Sequence, residues 1–208
     1  MLSKVTLSLG LLSLSLLIIP LNAVEVNIKE GVPYIDVEIN GKNIRIERIQ
    51  DTSNKLKNSY TKTSRPTPPF NIQPYEPIKG IKTISELYLI DFLQDEVKNG
   101  KGMLIDARMP KWYKTGSIPH SVNIPFPILT AKNFNSKIAQ IFGAKKKKGV
   151  WNFDNAKTLL IYDNGPWCQQ GVHAMKNLVK VGYPKSKILY YRGGMQYWQI
   201  LGLTTISK

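Results

Sequence analysis

The chain has a single cysteine among 208 residues, Cys168, and its neighbours are residues that let a thiol react. The stretch from Leu159 to Gly171 reads LLIYDNGPWCQQG. An apolar, strand-like run ends at Asp163, and the turn formers Asn164, Gly165 and Pro166 follow. Trp167, Cys168, Gln169 and Gln170 then lead into an apolar-periodic segment that stops at Gly182. A thiol between the end of a buried strand and the start of a helix lies where backbone N–H groups converge. Such a nest favours anions and lowers a thiol's pKa. A carboxylate at Asp163 facing the same nest acts in the opposite sense. The balance predicts a Cys168 pKa near or modestly below the free value of about 8.5.

The elements that must position this loop are legible in the hydrophobic pattern. From Ile81 onward, helical and strand-like segments alternate. Thr83 and Glu86 have the spacing of a capping box, and Leu87, Ile90, Leu93 and Val97 form a helical stripe closed by Asn99-Gly100. Met103–Ile105, Leu159–Tyr162 and Ile188–Tyr191 read as buried strands. Thr130 is placed to cap a helix carrying Phe134, Ile138 and Ile141. A helix from Gln170 carries Val172, Met175, Leu178 and Val179, and Met195–Leu201 forms a short last helix. Strands separated by helices predict an α/β fold, with a parallel sheet covered on both faces.

Two segments precede this region. Residues 24–50 predict a β-hairpin turning at Asn40-Gly41, with Val37 opposite Ile44, Ile35 opposite Ile46 and Asp36 opposite Arg45. A lone hairpin is marginal, so its apolar face must dock. Residues 51–80 are polar and studded with Pro66, Pro68, Pro69, Pro74 and Pro77. They predict an extended linker, able to wrap on the domain that follows.

The first 23 residues have the pattern of a cleaved export signal: Lys4, an apolar run from Val5 to Leu21, and the small residue Ala23. The alternative is an uncleaved N-terminal anchor. No other segment is apolar enough to span a membrane, so none is expected after cleavage. An exported chain with one cysteine cannot form an internal disulfide. Cys168 is then a free thiol, a mixed-disulfide partner or a buried inert residue. The formal net charge is +15. In an exported protein that excess points either to anionic small molecules, acidic partners or membrane surfaces, or to lysines that simply solvate the surface, which is the preferred reading. Nucleic acid is not expected, because no aromatic residues interleave with the basic ones, and Lys145–Lys148 reads as a solvated loop.

Three ordered segments carry a resemblance. LIDARMPKWYKTGSIPHSVNIPF (Leu104–Phe126), the loop and helix from Asp163 to Tyr183, and LYYRGGMQYWQILGLTT (Leu189–Thr205) together are similar to the rhodanese-like (sulfurtransferase) domain family. The wording NGPWCQQ resembles an exported bacterial subset with a lengthened active loop, which implies a periplasmic location. The resemblance covers residues 81–205 and implies a rhodanese-like domain at 81–208. It also implies sulfane-sulfur transfer, in which a loop thiolate takes sulfur from an anionic donor such as thiosulfate or a persulfide and holds it as a persulfide. No cofactor or metal is implied.

Carried onto this chain, the resemblance makes Cys168 the catalytic residue. Asp106 and Arg108 line the site, and Asp163, Asn164, Gly165, Trp167, Gln169 and Gln170 bind the donor. The chain departs from the family's pattern in three respects: the active loop is longer, Gln170-Gly171 replace the usual Arg-Ser before the helix, and the nucleophile position differs. The usual cysteine follows the strand directly, and Asp163 stands at that position. Two readings follow: the longer loop presents Cys168 as the persulfide-forming nucleophile, or the domain is an inactive binding module with a partner on the hairpin or the basic surface. Trp167 reads as a loop anchor, Trp198 as core, and Arg192 as a candidate for the same cleft. His173, five residues after Cys168, raises a Cys/His dyad against the plainer reading of a solvent-facing histidine.

Overall fold

The structure, a computed structural model, describes residues 25–39 and 41–207. The expected export segment at 1–23 lies outside these residues. In chain order the elements are β1 (Tyr34–Ile39), β2 (Lys42–Glu47), β3 (Lys82–Thr83), α1 (Glu86–Phe92) running on as a π-helical turn (Leu93–Val97), and β4 (Gly102–Asp106). Next come α2 (Pro110–Lys114), β5 (Val122–Asn123), α3 (Ser136–Ile141), β6 (Lys145–Lys147) and β7 (Val150–Asn152). The chain ends with β8 (Thr158–Tyr162), α4 (Gln170–Lys180), β9 (Ile188–Tyr191) and α5 (Gly194–Ile200).

Five strands form one sheet in the order β3-β9-β8-β4-β5, every pair parallel. Alternation along the strands divides the apolar side chains between two layers. Leu159 and Ile161 of β8, with Ile188 and Tyr190 of β9, join a core built with α3 and α4. Leu160, Tyr162, Leu189 and Tyr191 join the opposite core, with α1 and α5. Both faces are therefore dry, which is why these strands read as unbroken apolar runs. The expected α/β fold, a parallel sheet with helices on both faces, is the one observed.

The hairpin precedes the sheet in the register that its two-residue turn dictates: Ile35 opposite Ile46, Val37 opposite Ile44 and Asp36 opposite Arg45. Its apolar face docks on its own domain, with Ile35, Val37 and Ile46 buried in the second core. Polar contacts to the C-terminal segment add to this. Arg48 Nε donates to the Leu201 carbonyl at 2.7 Å, and the Thr204 N–H to the Glu47 carbonyl at 3.0 Å.

Three local expectations are corrected. Thr83 is not a cap: it belongs to β3 beside Tyr190, its hydroxyl donates to the Tyr75 carbonyl, and Ser85 takes the N-cap position of α1. Tertiary pairing with β9 overrides the local capping signal there. Thr130 does not cap the third helix either. Asn135 does, accepting from the N–H groups of Lys137 and Ile138, so Phe134 lies before the helix and packs against Phe142, Trp151 and Phe153. Lys145–Lys148 is not a plain loop, because Lys145–Lys147 pairs antiparallel with β7 and Lys146 lies over the Trp151 ring. Among the described residues, no helix is long and apolar enough to cross a membrane.

Candidate active site

Parallel strands deliver their C-terminal ends to one edge of the sheet, and ligand chemistry on such sheets collects there. Here that edge receives Asp106 from β4, the loop after β8, and the Gly193-Gly194 turn after β9.

The loop is shaped by Asp163. Its carboxylate accepts from the Gly165 N–H at 3.1 Å and the Gly171 N–H at 2.7 Å, so the chain's own carboxylate fills the N–H nest. The first residues of α5 hold the loop from the other side: Met195 N–H donates to the Asp163 carbonyl and Gln196 N–H to the Asn164 carbonyl, each at 3.0 Å. Glycine is required where the two segments meet. Gly194 has φ +54°, and a Cβ there would lie 2.5 Å from the Asp163 carbonyl oxygen and 2.6 Å from the Gly165 nitrogen. Gly194→Ala is therefore expected to destabilise the protein by about 2–3 kcal/mol, the range of overpacking against unyielding backbone. Urea unfolding checks this.

Cys168 lies inside the loop and is only 2 % exposed. Its sulfur receives the Asn164 Nδ2–H at 3.5 Å and lies close to the Gln170 N–H and the Asp163 carboxyl. Burial, then the Asp163 charge, push the thiol up to about 12, against the lowering effect of the N–H donors. The expected pKa near 8.5 is thus corrected. The nest's N–H groups are spent largely on Asp163, and desolvation outweighs what remains. Burial also raises Asp163 to about 7, against the two backbone N–H bonds that favour its charged form.

Asp106 and Arg108 form a fully buried ion pair, with Nη2 at 2.6 Å from Oδ2 and Nε at 2.9 Å from Oδ1. The Tyr162 hydroxyl also bonds Asp106 Oδ2, at 2.8 Å. Burial disfavours the guanidinium charge, and the Asp106 bonds more than restore it. Arg108 further donates to the Gly116 carbonyl at 2.7 Å and the Tyr60 hydroxyl at 3.1 Å. Its Nε, Nη1 and Nη2 are all engaged within the fold.

Tyr60 comes from the Pro-rich segment, and the sequence did not single it out. Residues 58–73 lie as a strap over the loop. The Gln73 N–H donates to the Pro166 carbonyl at 2.7 Å and the Asn71 N–H to the Trp167 carbonyl at 3.2 Å. Arg65 stacks 3.6 Å above the Trp167 ring, Phe70 meets it edge-on, and Arg192 holds the Gln73 carbonyl at 2.7 Å. Trp167 therefore anchors the strap, with its indole N–H on Gln196 Oε1 at 2.7 Å. Trp198 is buried core.

The structure thus gathers Asp163, Asn164 and Gln170 around the Cys168 sulfur, sets Gly165 against Asp163 and the Cys168 N–H, and links Asp106 and Arg108 to them through Tyr60. Trp167 turns to the strap. Gln169 bonds the exposed His173 ring, so that histidine pairs with the glutamine and not with the thiol. The only hint of Tyr60 in the sequence was a large aromatic ring after Asn58, whose side chain accepts from the Tyr60 N–H.

The chain is similar to several solved structures. Among them are a human single-domain sulfurtransferase, TSTD1 (21% identity, 57% of this chain and 95% of that one, TM-score 0.42), and a thiosulfate sulfurtransferase from Pseudomonas aeruginosa (16%, 64% and 21%, TM-score 0.47). An uncharacterized protein from Saccharomyces cerevisiae is another (27%, 59% and 93%, TM-score 0.42). No curated protein matches the chain. The family model for the rhodanese-like domain matches residues 89–201, more than half of the chain and the whole of the sheet edge just described, and the chain belongs to that family.

Proposed function

We propose that this protein is a periplasmic sulfurtransferase or sulfur carrier that holds sulfane sulfur as a persulfide on Cys168. The observation that carries this reading is the place of the sulfur: the chain's one thiol lies inside the loop at the C-terminal edge of the sheet, against a carboxyl able to take its proton. In the step, the thiol proton passes to Asp163 and the Cys168 thiolate attacks the sulfane sulfur of thiosulfate or a persulfide. A new S–S bond forms at Sγ as the donor's S–S bond breaks, and sulfite or the donor thiolate leaves with the bonding pair. The Asn164 and Gln170 N–H groups face the anionic product. The strap must shift for a donor to reach a sulfur so deeply covered. Export through residues 1–23 belongs to the same reading.

The test is intact mass after incubation with thiosulfate or a persulfide. The expected result is a gain of one sulfur atom that is absent from Cys168→Ser. No gain with either donor overturns the proposal.

One observation favours a second reading, an inactive rhodanese-like binding module: Asp163 occupies the nest that an anionic donor needs. On that reading, Asp163→Cys creates thiosulfate:cyanide sulfurtransferase activity that the native protein lacks. Equal activity in the native protein removes it.

A further inference from the structure

We infer that Tyr60, supplied by the strap outside the region matched to the family, is a positioning residue that turns the Asn164 amide so that its N–H donates to Cys168. The inference rests on Cys168 being the reacting sulfur, and it adds a hydrogen-bond relay running Arg108, Tyr60, Asn164, Cys168.

The direction of each bond follows from what each group can do. A guanidinium only donates. Arg108 Nη1, 3.1 Å from the Tyr60 oxygen, therefore makes that oxygen an acceptor. The hydroxyl has one proton left, and Asn164 Oδ1 lies 2.8 Å away to receive it. That proton stays in place at working pH, since burial pushes the Tyr60 hydroxyl up to about 12. With Oδ1 committed, Nδ2 is the end of the amide that faces Sγ, at 3.5 Å. Turning the amide the other way leaves the Tyr60 proton without an acceptor between two buried residues, a costly arrangement.

The start of the relay is rigid. Asp106 grips the guanidinium through Nε and Nη2, leaving Nη1 aimed at the strap. Helix α5 also holds Tyr60 independently of its hydroxyl, because Gln196 Nε2 donates to the Tyr60 main-chain carbonyl at 2.9 Å. Removing the hydroxyl alone should leave the ring in place. The relay sets a donor on a sulfur that burial and Asp163 otherwise keep neutral, and so favours the thiolate or persulfide anion.

The test compares iodoacetamide alkylation of the full chain with that of Tyr60→Phe at about pH 8, below the thiol's midpoint. The expected result is a rate about three- to tenfold lower in Tyr60→Phe, the effect of weakening one hydrogen bond to an anion. Asn164→Ala should be slower as well. The double variant should be no slower than Asn164→Ala, because the hydroxyl acts through the amide. A purely structural Tyr60 predicts the opposite sign, since a loosened strap exposes the sulfur and speeds the reaction. An unchanged rate, a faster one, or additive losses overturn the relay. The S–H stretching band gives a second measure. The chain has one cysteine, so the band belongs to Cys168 alone. It should move in Tyr60→Phe, and a fixed band also overturns the relay. Alkylation needs no sulfur donor, so a protein that takes up no sulfur yet shows these changes loses the sulfur-carrier reading and keeps this one.

Discussion

Asp163→Asn gains stability relative to the native protein as pH rises from about 4 to about 7, by about 4 kcal/mol over the interval. The folded-state pKa of Asp163 is raised from 3.8 to about 7, first by burial. Between those values the folded protein holds a proton there that the unfolded chain has released. Stability therefore falls as pH rises through the window and levels off above it. A tenfold difference in proton affinity between the folded and unfolded states corresponds to about 1.4 kcal/mol. Asparagine does not titrate, and its poorer fit to the Gly165 and Gly171 N–H groups adds only a pH-independent offset. For a chain of this size the two melting temperatures should diverge by roughly 10 °C. Calorimetry of both proteins across the range measures this directly, and parallel curves would show that Asp163 is ionised throughout.

Arg108→Ala should cost about 3–5 kcal/mol, because it leaves the Asp106 carboxylate buried without its cation. The Gly116 carbonyl and the Tyr60 hydroxyl lose their donor in the same change. Chemical denaturation of the variant should show a large drop in midpoint with little change in slope. Asp106→Asn combined with Arg108→Met should recover a large part of the loss, since no charge is then stranded. A double variant as unstable as Arg108→Ala would mean that the guanidinium's packing, not its charge, holds this wall.

Sequence legibility followed the range of the forces involved. Tyr162 and Leu189 could be placed because a strand buried on both faces must be apolar throughout. The hairpin register followed from a two-residue turn and simple alternation. Thr83 misled because its capping spacing is a local preference, whereas its pairing with β9 depends on a strand about 100 residues away. Cys168 stood out by type and position, but its ionisation did not. A nest is visible in sequence; the carboxylate filling it, and the strap covering it, depend on distant contacts. Tyr60 lay in a polar, proline-rich stretch with no periodicity and gave no functional signal.

The strap also bears on how the chain assembles. Tyr60 meets Asn164 across 104 residues, and Gln73 is held by Arg192 across 119. During synthesis the strap emerges well before these partners, which follow directly after β8 and β9. It cannot dock until β8 has paired with β4 and β9 with β8, because loop closure of this length is repaid only by a finished surface. The strap thus settles only after this edge of the sheet is built, and until it does, the thiol stands uncovered in a newly made domain.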